Sequence, residues 1–308
     1  MPSPVVYYCD VHSLDLPEGH RFPAGKYALV RERLSADGFD LRLAPAAPTA
    51  LIELVHDSEY VSNFLAGRLS PAAVRRLGFP WSPGLVKRTL GSLGGTLAAA
   101  DDALANGWGA NLAGGTHHAF RDHGEGYCVF NDVAVAARVL LREQLISRAM
   151  VIDCDVHQGN GTASIFRGDS TVFTLSFHGE KNYPFRKETS DCDVTFIDGA
   201  GDDEYLSALE EHVPPLLETV RPDIVFYLAG ADPYEGDRLG RLKMTIAGLR
   251  SRDRFVFEQC RVRGLPVVVA MSGGYAPDVE AIVEIHVNTI AEASRPASQG
   301  LERCASTY

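Results

Sequence analysis

The sequence predicts a single-domain α/β fold, built on a mostly parallel β-sheet with helices on both faces. Three observations predict it. Short apolar, β-branched runs alternate with longer amphipathic stretches, the signature of βα repetition. Five of the predicted strands run directly into segments rich in His, Asp, Gly and Tyr. At 308 residues the chain is long enough for one large core, and it shows no internal repeat, low-complexity linker or domain boundary.

Taken in order, "VVYY" reads as a strand over 5–8, and amphipathic periodicity predicts helices over 25–36 and 86–106. "GANLA" predicts a strand over 109–113, followed by a helix over 131–143. The apolar runs "AMVID" and "STVFTLS" predict strands over 149–153 and 170–176. A helix is predicted over 202–219, where Asp202 or Asp203 offers an N-terminal cap and Pro214 and Pro215 should introduce a kink. Strands over 223–229 and 265–271 and helices over 247–263 and 277–292 complete the pattern. A single domain is expected to span 1–295, with a polar, poorly ordered tail over 296–308.

A formal charge of −11 argues against nucleic acid or an anionic membrane as partner, because phosphate binding rests on clustered Lys and Arg. It is compatible with a cationic substrate. The six cysteines (Cys9, Cys128, Cys154, Cys192, Cys260, Cys304) form no CxxC pair and read as reduced thiols. No basic stretch followed by an apolar run opens the chain, and no segment approaches the ~18 apolar residues needed to cross a bilayer. The expected location is cytoplasmic.

In open parallel sheets the ligand site lies beyond the carboxyl ends of the strands, so the five polar strand ends point to one crevice. The most informative is "IDCDVHQGNGT". On an extended backbone Asp153, Asp155 and His157 share one face, which places Asp155 and His157 side by side with Asp153 behind them. Asp232, the first acid after a wholly apolar strand, is the candidate third ligand. One His and two carboxylates suit Zn²⁺, with Fe²⁺ or Co²⁺ also compatible. A single Asp here also fits a cap or a turn.

The tandem His117-His118 supplies imidazoles that the metal does not need, suited to moving a proton near neutral pH. Asp153 and Asn160 are the natural groups to fix their tautomers. Because adjacent residues normally point apart, Gly114 and Gly115 are expected to bend the chain so that both rings face the site. Tyr275, after two glycines, can aim a hydroxyl at a developing oxyanion, or else pack on the following helix. Tyr127, beside Gly126, can wall a channel or belong to the core.

Together "GGTHHAF", "GYCVFNDVA", "IDCDVHQGNGT", "LSFHGEKNYPF", "GADPYEGDRLG" and "SGGY" resemble, in order, the zinc-dependent histone deacetylase superfamily of the arginase-deacetylase fold. They span about 114 to 275, and "HRFPAGKY" (20–27) extends the likeness towards class IV deacetylases and their bacterial relatives. The resemblance implies removal of acetyl or longer acyl groups from lysine side chains of a protein or peptide. It implies Asp155, His157 and Asp232 as zinc ligands, His117 and His118 as the proton-transfer pair, and Tyr275 as the group that polarises the amide carbonyl. It also implies a structural K⁺ held by Asp153, by main-chain oxygens of Asp155, His157 and Phe177, and by the Ser176 hydroxyl. Gly126 and Tyr127 would line the acyl-lysine channel, and Tyr183 is the candidate for its second wall. Asn160 departs from the better-known classes, which carry an Asp there, so His118 is expected to be less basic than its counterparts.

Three other functions compete. An arginase-like enzyme needs a second metal and an Asp where this chain has Gly159. An acetylpolyamine amidohydrolase would use the same chemistry on a small acylated amine, but no long insertion of the kind that narrows those sites is evident. A non-catalytic, metal-bound binding homologue would be expected to have lost a ligand or the Tyr, and all are in place.

Overall fold

The computed structural model describes residues 5–296, so the tail over 297–308, including Cys304, lies outside the described residues. Among the described residues the chain order is β1 (Val6–Tyr8), α1 (Lys26–Ala36), β2 (Leu41–Leu43), α2 (Thr49–Ile52), α3 (Ser58–Leu65), α4 (Pro71–Leu77) and α5 (Pro83–Asn106). It continues with β3 (Trp108–Asn111), α6 (Asp132–Arg142), β4 (Ala149–Asp153), α7 (Asn160–Phe166), β5 (Val172–Gly179), β6 (Cys192–Phe196) and α8 (Asp202–Val220). β7 (Ile224–Leu228), α9 (Ile246–Arg261), β8 (Val267–Ala270) and α10 (Val279–Ala293) close the fold.

The eight strands form one sheet in the order β2-β1-β3-β8-β7-β4-β5-β6, and every pairing is parallel. Parallel neighbours need crossovers, and the helices that supply them cover both faces. The central strands show this directly. In β4, Met150 and Ile152 pack in one hydrophobic cluster with α1, α8, α9 and α10, while Ala149 and Val151 pack in a second with α3, α5, α6 and α7. β7 divides the same way, Val225 and Tyr227 against Ile224, Phe226 and Leu228. A strand buried on both faces has no polar side to alternate with, which is why these segments read as unbroken apolar runs.

Helix starts follow local chemistry. Ser82 accepts from the Leu85 N–H at 3.0 Å ahead of Pro83, Asn131 from Ala134 at 3.0 Å, and Thr245 from Gly248 at 2.9 Å. At α8 the expectation fails. The cap is Gly201, whose N–H is met by Glu204 at 3.0 Å, because the Asp202 carboxylate is drawn away to the Thr245 N–H and hydroxyl at 2.8 and 2.7 Å. α8 runs on through Pro214 and Pro215 to Val220. The carbonyls these prolines leave without an intrahelical donor belong to Glu210 and Glu211, both exposed. No helix among the described residues is long and apolar enough to cross a membrane.

Candidate active site

The loops beyond β3, β4, β7 and β8 converge at the carboxyl edge of the sheet, where four neighbouring strands deliver the polar residues. β4 ends at Asp153 and the chain then bends, so Asp155 and His157 do not sit on an extended strand. Their convergence comes from that bend rather than from pleat alternation, which corrects the reading from spacing alone. α7 starts at once, at Asn160.

One ligand atom each from Asp155, His157 and Asp232 lies within 4.8 Å of the others, and all three residues are buried. His157 Nδ1 is 2.9 Å from Asp155 Oδ1 and 3.1 Å from Asp232 Oδ2. The other Asp155 oxygen accepts from the Ser272 hydroxyl and the Gly273 N–H at 2.7 and 2.8 Å. Position 273 must be glycine, because a Cβ there would stand 1.9 Å from Asp232 Oδ2. Asp232 Oδ1 accepts from the Val156 N–H at 2.9 Å. Its Oδ2, 3.1 Å from His157 Nδ1, has no hydrogen-bond partner.

Two buried carboxylates sharing one imidazole are short of positive charge. Burial and the Asp155 charge push Asp232 up to about 7. Burial opposes the charged form of His157, but Asp155 and Asp232 outweigh it and raise the ring to about 10. Burial would also raise Asp155, yet His117 and His157 hold it well below the usual carboxylate range. An unmet buried carboxylate oxygen beside a second carboxylate and an imidazole is a donor set that fits a divalent cation, which would remove a desolvation penalty of several kcal/mol.

Gly114 and Gly115 take φ +77° and +71°, and the bend they make brings the His117 and His118 rings to 4.1 Å between centroids. His117 Nδ1 lies 2.6 Å from Asp153 Oδ2, and His118 Nδ1 lies 2.7 Å from Asn160 Oδ1. The two rings are pushed in opposite directions. Burial opposes protonation of His117, but Asp153 and Asp155 prevail and raise it to about 9. Burial, then the positive charges of His117 and His157, hold His118 well below the ordinary imidazole value, more than the Asn160 contact restores. Two titratable groups separated in this way divide into a standing cation and a free base.

Tyr275 follows β8 in a chain that turns through Ser272 (φ +56°) and Gly274 (φ +140°). Its ring lies 6.3 Å from His157 and 6.0 Å from Tyr127, so it faces the crevice. Its N–H is held by Asp237 at 2.6 Å, and the preceding Gly274 carbonyl accepts from the buried Lys26 ammonium at 3.2 Å. Tyr183 stands edge-on to His118 at 5.0 Å. Gly126, Tyr127, Tyr183, His118, His157 and Tyr275 together line an open cavity of about 430 Å³. Ser176 is in register with Asp153 on the neighbouring strand, its hydroxyl 3.0 Å from His178 Nδ1, and Phe177 is in the core.

Three contributors escaped the sequence reading. Glu125 accepts from the Asn160 amide at 2.7 Å, Asp237 holds the Tyr275 backbone, and Lys26 sits under the same turn. Asp237 and Lys26 lay within quoted motifs, and Glu125 immediately before one.

The histone deacetylase domain, as a family model, matches residues 20–290. The chain belongs to the histone deacetylase family. Among its relatives, an uncharacterised protein of Picosynechococcus sp. is 46% identical over 290 residues, which is 93% of this chain and 96% of that one. Histone deacetylase 2 of Arabidopsis thaliana is 32% identical over 279 residues, 86% of this chain and 72% of the plant protein. The fold matches the crystal structure of the acetylpolyamine aminohydrolase from Burkholderia pseudomallei with a TM-score of 0.80 at 21% identity, over 94% of this chain and 98% of that one. This deacetylase-family protein is accordingly a hydrolase acting on amides, on the α/β fold that the strand pattern predicts.

Proposed function

We propose that this deacetylase-family protein is a zinc-dependent lysine deacylase that removes acetyl or longer acyl groups from lysine side chains. The observation that supports this best is the pairing of a low-pKa imidazole, His118, with the Asp155-His157-Asp232 donor set at the foot of a tyrosine-walled channel. Asp155, His157 and Asp232 would hold the metal; Fe²⁺ or Co²⁺ fits the same donors. Zinc, when bound, supplies Lewis-acid polarisation of the amide carbonyl and makes water acidic enough to attack at neutral pH.

The remaining steps belong to the protein. Tyr127 and Tyr183 hold the lysine methylene stem, and the Tyr275 hydroxyl donates to the carbonyl oxygen as negative charge develops there. His118, neutral at rest, takes the proton of the attacking water through Nε2 and returns it to the departing amine nitrogen. His117, kept cationic by Asp153, stabilises the negative intermediate without exchanging its proton. A structural K⁺ would sit behind the site on Asp153, Ser176 and the main-chain oxygens of Asp155, His157 and Phe177. A cytoplasmic setting agrees with Cys9, Cys128, Cys154, Cys192 and Cys260 all being unpaired thiols.

The test is a panel of acetyl-, butyryl-, octanoyl- and myristoyl-lysine peptides beside acetylpolyamines, offered to zinc-loaded protein. Turnover of at least one acyl-lysine peptide above every polyamine supports the reading. Protein that holds zinc yet cleaves no acyl-lysine peptide overturns it.

A further inference from the structure

The outer part of the channel is charged in the opposite sense to the rest of the molecule. Four exposed basic residues, Arg21, Arg76, Lys181 and Arg241, line it, and no Asp or Glu does, on a chain whose formal charge is −11. They come from four separate segments: the turn before α1, the end of α4, the loop after β5 and the loop before α9. Arg241 pairs with Asp198 at 3.1 Å. Arg21, Arg76 and Lys181 form no ion pair within 4.0 Å among the described residues. Glu125 accepts from the Asn160 amide and Asp237 from three backbone N–H groups.

We propose that this basic mouth selects acyl-lysine flanked by acidic residues, and disfavours acylated polyamines and basic peptide segments. The inference rests on the deacylase reading and names its substrate class. The acylated lysine nitrogen is neutral, so the channel itself is indifferent to charge and the discrimination falls to whatever lies beside the mouth. A polyamine presents further ammonium groups close to its acetylated nitrogen, where they meet three cations that have no ion-pair partner within 4.0 Å among the described residues. An acidic peptide presents carboxylates there instead. Charges of this kind act over the Debye length of about 8 Å at physiological ionic strength, so they act on encounter and binding rather than on the chemical step.

The experiment compares three peptides with the same acyl-lysine, flanked by Glu, Gln or Arg, together with acetylspermidine, at low and high salt. The expected result is a KM for the Glu peptide about tenfold below that for the Arg peptide, the scale of a few exposed charge pairs. kcat should be equal for the two, and the gap should close at high salt. The combined variant Arg21→Glu, Arg76→Glu, Lys181→Glu should reverse the ranking. A KM indifferent to flanking charge and salt, or a preference for the Arg peptide or acetylspermidine, overturns the proposal. Fluorescence anisotropy with the same peptides reads the charge preference without turnover. Failure of hydrolysis and failure of this inference are therefore told apart, and the salt dependence of the unaltered protein decides even where the triple variant does not fold.

Discussion

Asn160 accepts from His118: its Oδ1 lies 2.7 Å from the ring's Nδ1. The other end of the same amide donates to Glu125 at 2.7 Å. A carboxylate accepts only, so Glu125 takes the NH₂ and leaves the amide oxygen facing His118. Nδ1 must then carry the proton and Nε2 the lone pair, which is the tautomer a general base in the crevice requires.

Glu125→Leu frees the amide to turn over, and kcat is expected to fall about tenfold, a fraction of the ~10²–10⁴ that a general base contributes. Asn160→Asp accepts from Nδ1 in either orientation and favours the imidazolium, so the acidic limb of the kcat/KM profile should move to higher pH. In that background Glu125→Leu should cost nothing, because it removes a carboxylate next to the new one. A double-mutant cycle in kcat checks this; additive losses would mean that Glu125 does not act through Asn160.

Tyr275→Phe keeps the ring that packs near His157 and Tyr127 and removes only the hydroxyl. Losing one donor to a developing oxyanion typically costs about 10²–10³ in kcat. Zinc content should be unchanged, since Tyr275 is not among the donor atoms. Metal analysis beside steady-state kinetics checks both halves, and full turnover in the variant would remove Tyr275 from the mechanism.

His56 ties the loop before α3 to the segment that carries the site. Its Nδ1 donates to the Phe120 carbonyl at 2.8 Å and its Nε2 accepts from the Asn131 N–H at 2.9 Å, an arrangement open only to the neutral ring. Burial depresses its pKa from 6.5 to about 4. Below pH 6.5 the unfolded chain therefore binds a proton that the folded chain refuses. The stabilisation is complete above that pH and is lost progressively as pH falls towards about 4, reaching about 3 kcal/mol. Urea unfolding across this window should show the loss, and His56→Leu should flatten that part of the slope.

Much of the site was legible because its chemistry cannot hide in an apolar chain. His and Asp residues at the ends of buried strands have few other uses, and the central strands β4 and β7 announce themselves as apolar runs. The edge strands β2 and β6 did not, being short and half exposed, and the short helices α2, α3, α4 and α7 gave too few turns for periodicity. Contacts between distant segments were equally silent. Glu125 meets Asn160 across 35 residues and Asp237 meets Tyr275 across 38, and Asp202 serves Thr245 instead of its own helix. Gly159 has a second reason to be glycine that the sequence does not show. It lacks the carboxylate of a second metal site, and the structure adds that any Cβ there would stand 2.5 Å from Asp153 Oδ2.

The central claim is that one metal ion at Asp155, His157 and Asp232 makes this amidohydrolase active. Stepwise addition of zinc to chelator-treated protein, with acyl-lysine hydrolysis followed at each step, tests it most directly. Activity should rise linearly and reach its plateau at one zinc per chain, and Asp232→Asn should neither retain zinc through gel filtration nor recover activity. Full activity in chelated protein, or a protein holding one zinc per chain at these residues that hydrolyses no acyl-lysine, would contradict the account.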